Sequence, residues 1–575
     1  MESEVTVNKG NLLARAITTL VFWRFVAAIC SGCLLAAAFP PLCWDRIAWF
    51  ALIPIIFTPQ PRRRLERLFI GYVFGYTHFA CSLFWLNEVG FGAGFLLSIW
   101  CALFPMLWYY FLSSLLLAFK HEKAKDIPGA SLLFVRHPKH LALIAFLIAC
   151  AWTALEWTRA WLLTGFPWNP LGVSQYARYG LIQTAAFTGP YGASFLIVLV
   201  NATLAVELSL VAWMLIARRR RTFPWHFASV ALILIPVCIM ANLPEKFTDD
   251  DTPVLDVLVV QPNLPQARVW TEDDFYNSIN VLHSLTANAL DNTEKQPDLV
   301  VWPECAVPAP LNYPEYRVKR NAFLKQYTPL FLIGAVHQRL EKPGDKDYSV
   351  FNSAFLIDVN GEDNKTFFDP ADHIVDYYDK VHRVPFGEFT PLASIFPWLR
   401  ELIGMGRDLT PGRKFHVLSL PNNAQAGVNI CFEDVFPYIS RQFTRNGANM
   451  LMTITNDSWY NQSSAAHQHF AHVVFRAVEN RRPFLRCGSN SHSALVSPSG
   501  RIHGLLRDDE NDSDFVAATR FYNVPTKDWG TSFYTKYGDI FARFTALVTL
   551  AAVAWMMAKL LKYKKQMLEA ISPKQ

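Results

Sequence analysis

A cysteine at the end of a predicted buried strand is the residue of this sequence best suited to covalent chemistry. Small and branched residues fill 426–430, and Cys431 follows them, with Phe432, Glu433 and Asp434 directly after it. A strand end is rigid and lies at the rim of a sheet, which suits a fixed nucleophile. The alternative is a buried structural cysteine, because a single cysteine has no sequence signature of reactivity.

Two charged residues upstream of Cys431 favour the catalytic interpretation. Glu304 follows the apolar run 298–302 after one proline, and Lys380 lies in a Tyr-Tyr-Asp-Lys stretch. A thiol needs a base to become a thiolate, and a carboxylate in an apolar site can have its pKa raised enough to serve. A nearby lysine favours the thiolate and can stabilise an oxyanion. We therefore expect these three residues to converge at one rim of a sheet.

Four short motifs contain or follow these residues. They are Trp302-Pro303-Glu304, Lys380 with Val384-Pro385-Phe386-Gly387-Glu388-Phe389, Cys431-Phe432-Glu433 and Asn456-Asp457-Ser458-Trp459. In combination the motifs resemble those of the apolipoprotein N-acyltransferases of bacteria, a membrane-bound branch of the nitrilase (carbon–nitrogen hydrolase) superfamily. The resemblance extends over almost the whole chain.

The resemblance implies a mechanism and a set of partners. Glu304 would be the general base, Lys380 the stabiliser of the oxyanion, and Cys431 the nucleophile that carries a thioester. The expected acyl donor is a phospholipid, with phosphatidylethanolamine, cleaved at sn-1, as the predicted one. The expected acceptor is the N-terminal amine of S-diacylglyceryl-cysteine on an apolipoprotein. This is the final step of bacterial lipoprotein maturation.

Five further residues have weaker assignments. Glu388 either orients the triad lysine or shares its proton, or it forms a structural salt bridge. Glu433 either tunes the thiol or holds the turn. The backbone N–H of Phe432, where the family often has tyrosine, would assist at the oxyanion. Trp270 and Trp459 are candidate contacts for an acyl chain or lipid, with core packing as the alternative.

The sequence predicts no metal site and no cofactor. His467 and His469 are two residues apart, so they do not share a helix face; only His469 and His472 could, and no second ligand cluster accompanies them. The one CxxC pair of the chain, Cys30 with Cys33, lies inside the predicted apolar span 20–39, so it does not indicate a zinc or redox motif. Cys305 and Cys487 could pair or oxidise outside the cytoplasm, and we assign the free thiol of this region to Cys431.

Composition indicates a large membrane portion. The 575 residues are 52% hydrophobic and only 17% charged, which is low in charge for a soluble protein. The net charge of +6 is spread over short clusters, without a nucleic-acid signature. Apolar runs predict spans at roughly 20–39, 43–58, 68–87, 92–119, 139–161, 189–216, 223–242 and 541–559.

The charges between the spans predict the orientation. Lys and Arg cluster after the second, fourth, sixth and eighth spans, so both termini should be cytoplasmic. The predicted domains are 1–242 with seven spans, 243–540 outside the cytoplasm, and 541–575 with the last span and a tail. The first span lacks a persuasive cleavage site and is predicted to be retained. With the resemblance, this places the catalytic domain on the periplasmic side of the inner membrane.

Residues 243–540 predict an α/β domain. Strand-like runs lie at 254–263, 298–302, 329–335, 350–358, 426–431, 450–455 and 492–497, and helical text lies at 273–290 and 465–481. This alternation alone leaves a doubly wound sheet and a two-sheet sandwich open. The family resemblance implies the four-layer αββα nitrilase sandwich.

Two rival functions and one loop stay open. A membrane-tethered amidase or nitrilase would use the same triad with water. A transporter or receptor would line a path with intramembrane charges, for which Glu156 and Glu207 are sparse support. The loop 165–172, rich in proline and aromatic residues, is either an anchored turn or a wall of a lipid-accessible cleft.

Overall fold

The chain forms two compact units in the computed structural model. The first comprises residues 1–175, 190–241 and 539–575, and the second comprises 176–189 and 242–538. The structure describes residues 2–571 except 59, 62, 121–130, 136–137, 218–234, 236–246, 248–251, 267–270, 341–346, 361–367 and 404–406. The division predicted from sequence, with boundaries after residues 242 and 540, stays a prediction.

The first unit is helical. Its helices are α1 (Glu2–Ala37), α2 (Ile53–Phe57), α3 (Arg64–Ser82), α4 (Ala93–Cys101), α5 (Leu103–Ala118), α6 (Pro138–Arg159), α9 (Tyr191–Ala217) and the C-terminal helix Ile540–Ile571; the short α7 (Tyr179–Ile182) and α8 (Ala185–Thr188) belong to the second unit. Among the described residues, five stretches are long and apolar enough to cross a membrane: Leu20–Ala37, Ala93–Ala118, Lys139–Arg159, Tyr191–Leu215 and Ile540–Gln566. The expected helical membrane portion is confirmed, and the count of eight spans stays a prediction.

The predicted span 43–58 is not one helix. The 3₁₀ helix Asp45–Trp49 is followed by a turn and then by α2. The Asn201 side chain holds this break: its amide donates to the carbonyl of Ala48 (2.8 Å) and its oxygen accepts from the backbone N–H of Leu52 (2.9 Å). A buried asparagine thus satisfies backbone groups that a continuous helix would have paired. The predicted span 223–242 lies almost entirely outside the described residues.

The loop 165–172 is tied to its own unit by polar side chains. Arg159 donates to the carbonyl oxygens of Phe166 (2.6 Å) and Trp168 (2.8 Å). Glu156 accepts from the backbone N–H of Leu171 at 2.7 Å. These contacts are those of an anchored turn, and they give Glu156 a structural partner; a role of the loop as a cleft wall stays a prediction.

In the described residues of the second unit, the strands form two six-stranded sheets, in the orders β12-β1-β2-β3-β4-β5 and β11-β10-β9-β8-β7-β6. The strands are β1 (Val254–Gln261), β2 (Leu299–Trp302), β3 (Leu330–Arg339), β4 (Ser349–Ile357), β5 (Ile374–Asp379), β6 (Leu418–Ser419), β7 (Gln425–Ile430), β8 (Met450–Thr455), β9 (Phe484–Gly488), β10 (Ala494–Val496), β11 (Ile502–His503) and β12 (Ala518–Pro525). Strands β1, β2 and β3 are parallel neighbours, as are β7, β8 and β9.

The two sheets stack face to face, with helices outside. The thiol of Cys487 on β9 lies 3.6 Å from the carbonyl oxygens of Val260 and Val301 on the other sheet. The helices after α9 are α10 (Glu272–Asp291), α11 (Pro314–Leu324), α12 (Trp398–Ile403), α13 (Pro437–Arg445), α14 (Ser464–Asn480) and α15 (Phe533–Tyr537). Apolar side chains of α10 and α11 share one core with β1 to β4, and α13 and α14 pack on the second sheet. The predicted αββα sandwich is confirmed.

Candidate active site

Glu304 is held at the rim of the first sheet, one proline after β2. It is 5% exposed, and its Oε2 accepts a 3.0 Å hydrogen bond from the backbone N–H of Asn456. Strand β3 passes so close that a Cβ on Gly334 would lie 2.6 Å from the Cα of Glu304. Glycine is therefore required at 334, because any larger residue would push the Glu304 backbone out of place.

Lys380 follows β5 and points into the same space. Its ammonium lies 2.8 Å from Oε1 of Glu388 and 3.4 Å from Oε1 of Glu304, and the side chain is 2% exposed. Burial by itself lowers the pKa of Lys380, but the carboxylates of Glu388 and Glu304 raise it well above its ordinary value. The lysine therefore stays charged, as a group that stabilises negative charge must be.

Asn352 on β4 joins the two carboxylates, and sequence reasoning missed it. Its amide nitrogen donates to Oε1 of Glu304 (2.7 Å) and to Oε1 of Glu388 (3.0 Å). Its oxygen lies 3.7 Å from the thiol of Cys305. The only signal in the sequence was an asparagine within an apolar strand. A buried asparagine is expected to have a hydrogen-bond partner, so a polar group should lie near it.

Cys431 lies at the junction of β7 and a 3₁₀ helix, Cys431–Val435. Its φ is +53°, a left-handed conformation that costs a non-glycine residue about 1–2 kcal/mol. Burial and the charge of Glu304 raise the pKa of the Cys431 thiol well above its ordinary value, while Lys380 and a hydrogen bond from Thr455 oppose the shift. The thiol is therefore protonated at neutral pH and needs a base before it can attack.

Glu433 links the turn that contains Cys431 to the segment that contains Lys380. Its Oε1 accepts from the hydroxyl of Tyr378 (2.9 Å) and the backbone N–H groups of Val381 (2.8 Å) and His382 (3.0 Å). Its Oε2 accepts from the backbone N–H of Ile430 at 2.9 Å. Burial raises the pKa of Glu433 to about 7 against the effect of these donors. Of its two predicted roles, the contacts support holding the turn.

The other candidate residues are placed differently. Phe432 is 8% exposed, and its ring packs edge-on to Phe436 at 5.0 Å. The role of its backbone N–H at the oxyanion stays a prediction. Trp459 is 49% exposed on the 3₁₀ helix Asp457–Tyr460, where it is available to a ligand. Trp270 lies outside the described residues.

His469 has an electrostatic role that the sequence did not reveal. Its Nε2 lies 2.7 Å from Oδ1 of Asp434, and its Nδ1 lies 2.9 Å from Oδ1 of Asp457, which also pairs with Arg486. Although burial lowers it, the pKa of His469 is raised to about 10 by the two carboxylates. The imidazolium thus links the cysteine turn to the Asn456–Trp459 motif.

Cys305 and Cys487 are both free thiols, like Cys431. Burial raises the pKa of Cys305 and of Cys487 far above the ordinary value, as it does the pKa of Cys431, so the pKa alone does not set Cys431 apart. Their distinct partners, Asn352 and the carbonyls of the facing sheet, fit structural thiols.

Comparisons with known proteins identify both parts of the chain. A family model for the apolipoprotein N-acyltransferase N-terminal domain matches residues 31–203, and one for carbon-nitrogen hydrolase matches 259–519. An apolipoprotein N-acyltransferase of Geobacter metallireducens is 30% identical, over 93% of this chain and 95% of the relative. One of Rickettsia prowazekii is 29% identical, over 85% and 89%.

Among solved structures, Nit3 of Saccharomyces cerevisiae, a member of branch 10 of the nitrilase superfamily, matches 49% of this chain and 93% of its own at 16% identity and a TM-score of 0.34. The family assignment rests on the sequence relatives and the family models. By its two family domains and its match over almost the full length of curated relatives, this chain belongs to the apolipoprotein N-acyltransferases, membrane-associated bacterial enzymes of the nitrilase superfamily.

Proposed function

We propose that this protein moves a fatty acyl chain from a phospholipid to the N-terminal amine of S-diacylglyceryl-cysteine on apolipoproteins, through a thioester on Cys431. The observation that carries the proposal is the meeting of a buried carboxylate, a buried charged lysine and a partly buried, protonated thiol, which follow strands β2, β5 and β7. Lys380 lies 3.4 Å from Glu304, and the charges of both act on the pKa of Cys431.

The first half-reaction forms the thioester. Glu304 takes the proton from Sγ of Cys431 as the sulfur attacks the ester carbonyl of the phospholipid, with phosphatidylethanolamine as the proposed donor. Lys380 and the backbone N–H of Phe432 stabilise the tetrahedral oxyanion. The carbon–oxygen bond then breaks, and the protonated Glu304 gives its proton to the departing lysophospholipid. The acyl chain stays on sulfur.

The second half-reaction releases the acyl chain. The neutral α-amine of the acceptor attacks the thioester carbonyl, and Glu304 accepts a proton from the attacking nitrogen. The same donors stabilise the second oxyanion. The carbon–sulfur bond breaks, the thiolate recovers the proton from Glu304, and the acceptor leaves with an amide.

The proposed setting is the periplasmic side of the bacterial inner membrane. Residues 243–540 would lie outside the cytoplasm between spans in 1–242 and the span in 541–575, with both termini inside, since Lys and Arg cluster after every second predicted span. Both substrates carry acyl chains and arrive through the bilayer, so a catalytic domain anchored at both ends meets them there. Exposed Trp459 is a proposed contact for a chain or lipid.

The competing activities predict different products. An amidase with the same triad would turn over a small amide with water and without lipid. A binding protein would turn over nothing. The test is to supply purified protein with phospholipid and a synthetic diacylglyceryl-cysteine peptide. The proposal expects a triacylated peptide and an equal amount of lysophospholipid; release of free fatty acid without peptide acylation would favour hydrolysis.

A further inference from the structure

Three side chains from distant parts of the sequence meet away from the candidate catalytic groups. His467 comes from α14, His492 from the turn between β9 and β10, and Asp514 from the segment before β12. One ligand atom of each lies within 4.8 Å of the others. Two imidazoles and a carboxylate are a donor set that suits divalent transition metals.

The separations fit a tetrahedral ion. Nε2 of His492 lies 3.3 Å from Oδ2 of Asp514, and Nε2 of His467 lies 3.5 Å from the same oxygen. Bonds of about 2.0–2.1 Å to zinc imply an edge of about 3.3 Å between tetrahedral ligands. Charge-assisted hydrogen bonds would be shorter, at about 2.7–2.9 Å. These two separations are thus close to those between ligands of one ion and longer than those of strong charge-assisted hydrogen bonds.

The site is held in place by buried polar groups. Gln261 is fully buried and contacts both the turn that contains His492 and the segment that contains Asp514. Its oxygen accepts from the hydroxyl of Ser493 (2.8 Å), and its amide donates to the carbonyl of Asp514 (3.1 Å). Arg486 donates to the carbonyl of His492 at 3.2 Å. These bonds preorganise two of the three ligands before any ion binds.

The cluster is buried on one side and reachable by solvent on the other. His492 is 3% exposed, and its Nδ1 has no hydrogen-bond partner in the part of the chain that the structure describes. The His467 side chain is 38% exposed, so solvent can reach the cluster.

We propose that His467, His492 and Asp514 bind one divalent transition-metal ion, for which Zn²⁺ is the probe, with solvent as the fourth ligand. The ion would join α14 to the turn at 488–493. That turn reaches the candidate active site, because the hydroxyl of Ser489 donates to Oδ1 of Asn456 at 2.8 Å. The ion's proposed role is to stabilise this turn. The sequence-based prediction of no metal site rested on histidines that are close in sequence, so it did not include this cluster.

The test titrates Zn²⁺ into the full chain in detergent, purified through a tag without histidine and stripped with a chelator. We expect one Zn²⁺ per chain, undisturbed by excess Mg²⁺, which prefers oxygen ligands, and a rise in apparent Tm on binding. His492→Asn keeps a residue that tolerates the left-handed φ of +57°. It should weaken Zn²⁺ binding by about a hundredfold or more, since even the loss of an outer partner costs about 10–100-fold.

Asp514→Asn provides a second variant should the first not fold, and the same loss of affinity is expected. The matched control is His416→Asn, because His416 also faces one carboxylate, Asp376 at 2.8 Å, but lies outside the cluster. It should keep the wild-type affinity. Unchanged Zn²⁺ affinity in a folded His492→Asn or Asp514→Asn variant, or no saturable binding by the wild type, would overturn the proposal.

Discussion

At the scale of single residues, the site is a set of opposed charges around a neutral thiol. Cys431 is held protonated by burial and by Glu304, so nucleophile formation depends on proton transfer. Lys380 is held charged by Glu388 and Glu304, so it is unsuited to take that proton. This difference separates the proposed base from the proposed oxyanion stabiliser, and it makes the two roles distinguishable by pH.

Replacing Glu304 and Lys380 should therefore give different pH profiles. Glu304→Gln should slow thioester formation by about a hundredfold or more, the usual worth of a general base. High pH should partly rescue it, because thiolate then forms without a base and the thiol has lost a neighbouring negative charge. Lys380→Met should lose about a hundredfold or more at every pH, because extra thiolate does not replace the missing positive charge. Acyl-enzyme formation measured across a pH series decides, and equal rescue of both variants would contradict the roles.

Asn352 should matter as a positioning residue. Asn352→Ala removes the amide that holds Glu304 and Glu388, so both carboxylates lose a donor and are free to move. We expect thioester formation to fall by about a hundredfold, the usual effect of a displacement of about 1 Å. The control is Asn360→Ala, which removes a surface amide that binds the carbonyl of Tyr327. Wild-type rates in Asn352→Ala would show that the two carboxylates need no such link.

At the scale of secondary-structure elements, the sequence predicted most of the long apolar strands and missed the edge strands and one short buried strand. The buried runs around β1, β2, β7 and β8 were predicted within a few residues, because both faces of a central strand are apolar. Strands β5 and β12 were missed; both lie at a sheet edge, and the aspartates of β5 pair with His416 and Arg339. Strand β9 was also missed; it is fully buried, and Arg486 interrupts its short apolar run.

Prediction from the sequence had a similar limit at the candidate active site. Glu304, Lys380 and Cys431 were predicted as site residues from motifs that are continuous in sequence. Asn352 reaches the site only because β4 pairs with β3, and His492 meets His467 only through the fold. Contacts that depend on sheet pairing leave no local pattern in one sequence.

The stability of the folded protein should depend on the positive charge of His469, which lies on helix α14. His469→Gln leaves Asp434 and Asp457 buried with less compensation, and the expected loss of stability is about 3 kcal/mol or more. The folded-state pKa is raised from 6.5 to about 10. The stabilisation is therefore complete below pH 6.5 and is lost as pH rises through about 10.

The measurement is the difference in apparent Tm between wild type and His469→Gln from pH 6 to 10. The difference should shrink as pH rises. His416→Gln, at an exposed histidine paired with Asp376, should show a far smaller effect. A constant or growing difference with rising pH would contradict a charged His469 in the folded protein.

At the scale of the whole molecule, composition predicted the helical membrane portion, whereas hydropathy along the chain did not predict where every helix is interrupted. The low charge and long apolar runs predicted a helical membrane portion, which the structure confirms. The break between the 3₁₀ helix Asp45–Trp49 and α2 was missed, because a distant side chain, Asn201, supplies its hydrogen bonds. Helix continuity in a membrane protein thus depends on neighbours as well as on hydropathy.

The orientation in the membrane can be tested with engineered cysteines. A labelling reagent that does not cross the membrane should reach a cysteine introduced at Asp249 but not one at Arg219, because basic clusters mark the cytoplasmic side. The parent chain, labelled in parallel, corrects for its own ten cysteines. The reverse pattern would place residues 243–540 in the cytoplasm and overturn the proposed setting.

The most direct test of the account is the intact mass of the purified protein after exposure to phospholipid alone. Without an acceptor amine, the acyl chain should remain on the enzyme, and peptide mapping should find it on Cys431 as a thioester that hydroxylamine removes. Cys431→Ser should fold and show no added mass, because serine is a far weaker nucleophile without a stronger base. Acylation that persists in Cys431→Ser, or a fully active wild type that never carries an acyl chain on Cys431, would contradict the thioester mechanism.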